Sequence, residues 1–262
     1  MPYFTVFKMR LRMELQYRGA MIGGIVCQMF FGLILVALYR ALYAGKPQSI
    51  PIESVATYVW LQQAFFRMML ASDSELVDKI KSGDIAYDMC RPVDMYGFYY
   101  ARIMAQKLMG SLMRAVPMLI VAFLLPKGWG ISLPASFLEL ISAIPALLLG
   151  LLCVCALENI TVAFTMKTLD PRGIQGLLNL LMMTLSGNLF PLTLFPESWQ
   201  KVITFLPYAQ LLDAPIRLYT GEYLPNEAFR IYGIQAFWVV ILIALGVYMW
   251  NANKKRMVVQ GG

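Results

Sequence analysis

Histidine is absent from all 262 residues, charge is scarce, and no long polar stretch occurs. Each absence excludes something. Without histidine there is no imidazole general base and no Ser-His or Cys-His nucleophile pair, and the commonest metal ligand is missing. No catalytic residue and no metal site is therefore expected, and intramembrane metalloprotease motifs are excluded. Charged residues make up 14% of the chain, where a soluble domain carries about 25%. The polar sequence left over is too short for a separate soluble domain of roughly 50 residues, so 1–262 reads as one domain. Cysteine is sparse as well. Cys27, Cys153 and Cys155 fall in apolar runs and Cys90 in a polar one, none placed to pair in an oxidising compartment. Cys153 and Cys155 point to different faces of a helix and read as small packing residues rather than metal ligands.

What remains is apolar: 59% of residues are hydrophobic and the mean hydropathy is +0.63. Ala20 to Tyr39, Leu140 to Leu157, Gly173 to Pro196 and Ile231 to Trp250 contain no Asp, Glu, Lys or Arg. Ser54 to Ser72 is interrupted only by Arg67, and Ile103 to Leu125 by Lys107 and Arg114. About 20 apolar residues cross a bilayer as a helix, so an all-α membrane protein with six transmembrane helices is expected. The first apolar run lacks a small-residue cleavage site and is too long for a signal peptide, so it should stay.

The net charge of +7 is an orientation signal. With the N-terminus inside, segments 1–19, 73–102, 166–172 and 251–262 hold 13 of the 22 Lys and Arg. The outer segments 40–53, 126–138 and 195–230, of similar total length, hold 6. That bias puts both termini in the cytoplasm. It also removes nucleic acid as an explanation for the basic surplus.

Three polar or broken segments stand out. Residues 3–18, within the segment 1–18, alternate in charge as a strand would, but an isolated strand beside a bilayer leaves its backbone unpaired. As a helix, Phe4, Phe7, Leu11 and Leu15 share a face while the Lys and Arg stems snorkel to lipid headgroups, which predicts an interfacial helix. In 73–92, Ser72 and Glu75 have capping-box spacing and Gly83 is a natural C-cap, predicting a helix from Asp73 to Ser82. Asp84 is placed to cap a second short turn that Pro92 ends. Such rigid short helices suit force transmission from a partner; a solvated loop is the alternative. Finally, 191–221 is too apolar for a solvated loop, yet Pro191, Pro196, Pro207 and Pro215 cut it into pieces too short to span. Helices that re-enter the outer leaflet fit this pattern, provided protein or a wet cavity satisfies their backbone.

These last two segments resemble the ABC-2 type transporter permease family. Lys81-Ser82-Gly83-Asp84-Ile85-Ala86-Tyr87 to Arg91-Pro92 is similar to the "SGDIA…RP" loop of a bacterial branch of that family. Asn188-Leu189-Phe190-Pro191 to Phe195-Pro196, Leu206-Pro207 and Pro215 to Gly221 resemble its extracellular re-entrant signature. The resemblance implies an ABC-2, type V exporter-like fold and a half-transporter working as a dimer in the bacterial inner membrane. Ser82, Gly83, Asp84, Ile85, Ala86, Tyr87, Arg91 and Pro92 would form the cytoplasmic coupling helix received by an ABC ATPase subunit. No G-x-x-x-x-G-K-[ST] occurs in this chain. ATP and Mg would sit on that partner, with no cofactor here. Members of the branch often pair with a second, dissimilar permease, so a heterodimer is implied, with a homodimer as the alternative.

Depth picks out the pathway. At 1.5 Å per residue the midplane falls near Ala64, Arg114 and Thr184, so Gln62, Gln63, Arg114, Thr184, Ser186 and Asn188 are the deep polar groups. For Arg114 a hydrogen bond to a neighbouring helix is the alternative to lining the pathway. Glu158 is expected at the inner interface, snorkelling or meeting Lys167, and Glu139 at the outer one. Phe190, Pro191, Phe195, Pro196 and Trp199 would make an extracellular gate, with Phe195 and Trp199 closing it. The expected function is a permease for an amphiphilic substrate such as a peptide, lipid-linked molecule, drug or natural product, exported at the cost of ATP. A passive channel, or a receptor or immunity protein without an ATPase, is the second reading. A membrane-embedded lipid-modifying enzyme, lacking histidine and any clustered acidic motif, ranks last.

Overall fold

The computed structural model describes residues 2–16, 18–44, 50–70, 74–134, 136–188, 191–192 and 195–254, with backbone alone at 18, 20 and 74. All regular structure among them is helical: α1 (Pro2–Glu14), α2 (Arg18–Tyr43), α3 (Ile52–Met69), α4 (Ser74–Ser82), α5 (Ile85–Met89), α6 (Met95–Leu124), α7 (Phe137–Thr168), α8 (Arg172–Leu185), α9 (Glu197–Ile203), α10 (Asp213–Tyr219) and α11 (Ala228–Lys254). Among the described residues, four helices are long and apolar enough to cross a membrane: α2, α6, α7, and α11 with the 3-10 turn that leads into it.

The two other expected spans depart from that description for different reasons. α3 has only 18 residues, about 27 Å, and Thr57, Gln62 and Gln63 dilute its hydropathy. Every residue from Val55 to Ala64 is buried, because α2, α6 and α10 enclose it. A helix wrapped in protein tolerates amides and hydroxyls, since neighbouring helices supply their partners. α8, expected to continue through the apolar run to residue 196, is helical for 14 residues, about 21 Å. It stops at Ser186 because Gly187 turns the chain with φ +77, a conformation that glycine adopts without a Cβ clash.

α6 and α7 overshoot the bilayer core. At 30 and 32 residues they reach about 45 and 48 Å against a core of about 30 Å. Both starts are fixed locally. Asp94 accepts a hydrogen bond from the Gly97 amide at 2.7 Å, and Ser136 and Glu139 form a reciprocal capping box ahead of α7. α11 is bolted along α7 by side chains that donate to α7 carbonyls: Tyr232 to Ser142 at 2.7 Å, Gln235 to Ala146 at 2.9 Å, Trp250 to Asn159 at 3.3 Å and Asn253 to Ala163 at 2.6 Å. The start of α6 and the last turns of α7 lie at the end that carries α4 and α5, called here the platform end. α9 and α10 cap the far end.

α1 packs along the first half of α6. The Tyr3 hydroxyl accepts from the Asp94 amide at 3.2 Å at one end, and Glu14 reaches Gly110 at the other. Its inward face is Val6, Phe7, Arg10 and Leu11, all half-buried, while Phe4 is exposed. The stripe through Phe4 and Leu15 expected from the sequence is thus rotated. The cause is Arg10, whose guanidinium is drawn inward by Glu14 (3.5 Å) and by Glu75 of α4 (3.0 Å).

Candidate functional site: platform, inner cavity and far-end cap

The platform begins where expected. α4 runs Ser74–Ser82 and α5 Ile85–Met89; Ser72, the expected cap, and Asp73, the expected first residue of the helix, lie outside the described residues. Gly83 takes φ +83 between the two helices, and the Ser82 hydroxyl donates to the Asp84 carboxylate at 2.7 Å. Asp84 therefore serves the turn and makes no side-chain cap to α5. Leu76, Ile80 and Ile85 pack into the main core with Met95, Tyr99 and Ile103.

Two carboxylates latch the platform to the bundle. Asp88 accepts from Tyr99 at 2.8 Å and Lys79 at 3.2 Å, and pairs with Arg91 at 3.3 Å. Burial alone would raise its pKa, but the Tyr99 hydroxyl, Lys79 and Arg91 outweigh that and hold it below the usual aspartate value. Stability from this latch is present above the unfolded aspartate pKa and is lost only as pH falls through the lower folded one. Glu75 is pushed up by burial and pulled further down by Arg102 (2.7 Å) and Arg10 (3.0 Å). Through Arg10 and Arg102 it joins α4 to both α1 and α6.

Of the residues expected to face an ATPase, Ile85 does not: it is 2% exposed. The helical spacing explains this, because 85 and 88 share the inward face of α5 while 84, 87 and 91 share the outward one. Tyr87 is 78% exposed, Arg91 lies over the Phe98 ring at 5.6 Å, and Ser82, Asp84 and Pro92 are exposed, with Gly83 and Ala86 half-buried. The outward surface is therefore Ser82, Asp84, Tyr87, Arg91 and Pro92, not the whole motif.

Behind the platform lies a cavity of about 380 Å³ between α3, α4, α6, α7 and α8. Its walls mix Met69, Leu157, Leu178 and Met182 with Thr161, Thr165, Gln175 and Asn179. The charged corner is an ion pair the sequence did not reveal: Glu158 meets Lys107 at 2.5 Å, not Lys167, which is exposed. Lys107 also donates to the carbonyls of Met68 (3.1 Å) and Leu70 (3.0 Å). It thereby caps the C-terminal end of α3, where a cation is favoured.

At the far end the chain folds back into the bundle. Tyr58 of α3 donates to Asp213 of α10 at 2.6 Å, and Gln62 donates to Tyr58 at 3.1 Å and to the Ser186 carbonyl at 2.9 Å. Asp213 is paired in turn with Arg217 at 3.7 Å, which also holds Glu222 at 3.1 Å. Two water-sized cavities of about 10 Å³ flank Tyr58, one lined by Gln62, Gln63 and Asn188 and the other by Tyr43 and Glu222. Gln62, Gln63, Ser186 and Asn188 are thus brought together around Tyr58. Thr184 stands apart, its hydroxyl donating to Leu180 within α8 at 2.8 Å. Arg114 lies against Gly24 of α2, six residues and about 9 Å from the start of that helix, nearer its platform end than the midplane expected from the sequence.

Among the gate residues, Phe190 lies outside the described residues. Pro191 is buried beside Tyr58, and Phe195 packs on Leu192, Ile203 and Ala209. Pro196 precedes α9. Trp199 is 64% exposed, so within one chain it seals nothing. Tyr58, Lys107 and Asp213 are the site residues that sequence reasoning missed. The available signals were Tyr58 sitting one turn from Gln62, and Asp213 as a lone carboxylate in the run Leu211-Leu212-Asp213-Ala214-Pro215, where it must find a partner.

Long apolar helices, a latched polar platform at one end and broken helices folded into the other describe a multi-pass helical membrane protein. Residues 29–261 match the family described as ABC-2 family transporter protein, and the chain belongs to it. No curated protein matches it at a significant level.

Proposed function

We propose that this chain is the transmembrane permease subunit of an ATP-driven ABC transporter, exporting an amphiphilic substrate. Six spans, α2, α3, α6, α7, α8 and α11, cross a bacterial inner membrane with both termini cytoplasmic. α1 lies at the cytoplasmic interface, and a second permease subunit completes the pathway. ATP and Mg are held by separate ATPase subunits. The observation that carries this reading, within a chain of this family, is the platform. Tyr87 stands out from a pair of short helices that Asp88 and Glu75 fix to α1 and α6, so a push on Tyr87 is passed to the bundle rather than absorbed by a loop. The cavity behind α4, with apolar walls and a polar rim, suits an amphiphile entering from the cytoplasm.

Tyr87→Asp should leave expression and melting temperature unchanged and reduce substrate-stimulated ATPase activity about tenfold or more, whereas Ile85→Asp should fail to fold, because it buries an unpaired charge. Stimulated ATPase activity unchanged in Tyr87→Asp would count against coupling through this surface. Orientation is checked separately. Single cysteines at Ser49 and Ser82, in a background without the four native ones, should react with an impermeant reagent in intact cells only at Ser49. Labelling at Ser82 would reverse the topology.

A further inference from the structure

We infer that Arg67 and Arg114 form a site for the phosphate of an anionic membrane phospholipid, between α2, α3 and α6 in the leaflet at the platform end. This goes beyond the transport reading and requires only that the chain is inserted in a membrane. The Arg114 guanidinium fills a notch in α2: a Cβ on Gly24 would stand 2.6 Å from its Cζ and 2.7 and 2.8 Å from its terminal nitrogens. Arg67 runs over Gly110, with its Nε 3.7 Å from where a Cβ would be. Gly110 and Arg114 are one turn apart on the same face of α6, which puts the two guanidinium groups on one side of that helix.

Neither arginine forms an ion pair or a side-chain hydrogen bond among the described residues. The nearest carboxylate, Glu14, is 3.9 Å from the Gly110 Cβ position and is already engaged by Arg10 at 3.5 Å. Two further polar groups close by are unspent. Gln28, one turn beyond Gly24 on α2, is 6% exposed, and neither its amide nitrogen nor its oxygen has a partner; the buried Ser111 hydroxyl, between Gly110 and Arg114, has none either. Two unpaired cations at bilayer depth are costly, and an anion between them turns repulsion into attraction. Guanidinium forks match phosphate oxygens in pairs. Both arginines are only half-buried, so an anion can reach them from the bilayer, and basic pockets between membrane helices take lipid headgroups. A choline headgroup would bring a third cation to a site that already holds two, so the occupant is an anionic lipid of the phosphatidylglycerol type.

The test is native mass spectrometry of the full chain in mild detergent, titrated with phosphatidylglycerol, with phosphatidylcholine of the same chains, and with inorganic phosphate. Wild type should retain phosphatidylglycerol in preference to phosphatidylcholine and show no retention of inorganic phosphate, which lacks the chains. Arg67→Gln and Arg114→Gln should each weaken phosphatidylglycerol retention about fivefold. Gly24→Ala keeps both charges but displaces a flexible guanidinium, so it should fold normally and still weaken retention. The inference is overturned if wild type does not discriminate between the two lipids, if inorganic phosphate binds as well as phosphatidylglycerol, or if the double glutamine variant and Gly24→Ala both retain phosphatidylglycerol like wild type. No ATPase enters the measurement, so its failure is separable from a failure of the transport reading.

Discussion

Lys107→Met should destabilise the protein by about 3–5 kcal/mol, the usual cost of removing one partner of a buried ion pair. Lys107 is 1% exposed, and each of its three donors is spent, on Glu158, the Met68 carbonyl and the Leu70 carbonyl. Methionine fills a similar volume but leaves Glu158 charged and buried, and leaves the end of α3 uncapped. Lys107→Met with Glu158→Leu should recover a large part of the loss, because the buried carboxylate that lost its cation is then gone. Thermal unfolding of the two single variants and the double one in the same detergent gives the coupling energy. Additive losses would show that the pair does not hold α3, α6 and α7 together.

The second large effect is expected from Gly150→Val in the middle of α7. The Leu211 carbonyl presses on Gly150 so closely that any Cβ there would collide with it, and the Gln210 carbonyl would be 3.2 Å away. Gln235 clamps the same place, donating to the Ala146 carbonyl at 2.9 Å and the Gln210 carbonyl at 2.8 Å. A backbone oxygen held in this way cannot swing aside as a side chain would, so overpacking of about 1–3 kcal/mol should lift residues 205–215 off α7. Asp213 should then be drawn away from Tyr58. Hydrogen exchange across 205–220 should rise at least tenfold while α2 and α11 keep wild-type protection. Unchanged exchange would mean that the far-end cap does not depend on this close approach.

The sequence made some of this legible and hid the rest, for physical reasons. α2, α6, α7 and α11 are readable because they meet lipid on at least one face, as exposed Val26, Ile120, Leu148 and Val240 show, and lipid demands apolar side chains. α3 is harder to read because protein surrounds it. The turn at Gly83 and the short helices beside it follow from local chemistry. Which of their residues faces outward does not, since Ile85 is set by a core made from Leu76, Met95 and Ile103. The bonds that organise the molecule join distant positions: Tyr58 and Asp213 are separated by 155 residues and Arg10 and Glu75 by 65. No window along the chain contains both partners. The proline-broken segment signalled its unusual depth, but its pivot is Gly150, an unremarkable glycine in an apolar run.

The central claim is that another chain's ATPase acts through the α4–α5 platform. A single cysteine at Tyr87, in a background lacking Cys27, Cys90, Cys153 and Cys155, should be crosslinked in membranes with a short bifunctional reagent before purification in mild detergent. The account predicts a crosslinked band containing a P-loop ATPase, with a cysteine at Trp199 giving none. Intact, transport-active protein that yields no ATPase crosslink from Tyr87, and whose flux is indifferent to ATP, would contradict it and leave a channel or receptor in its place.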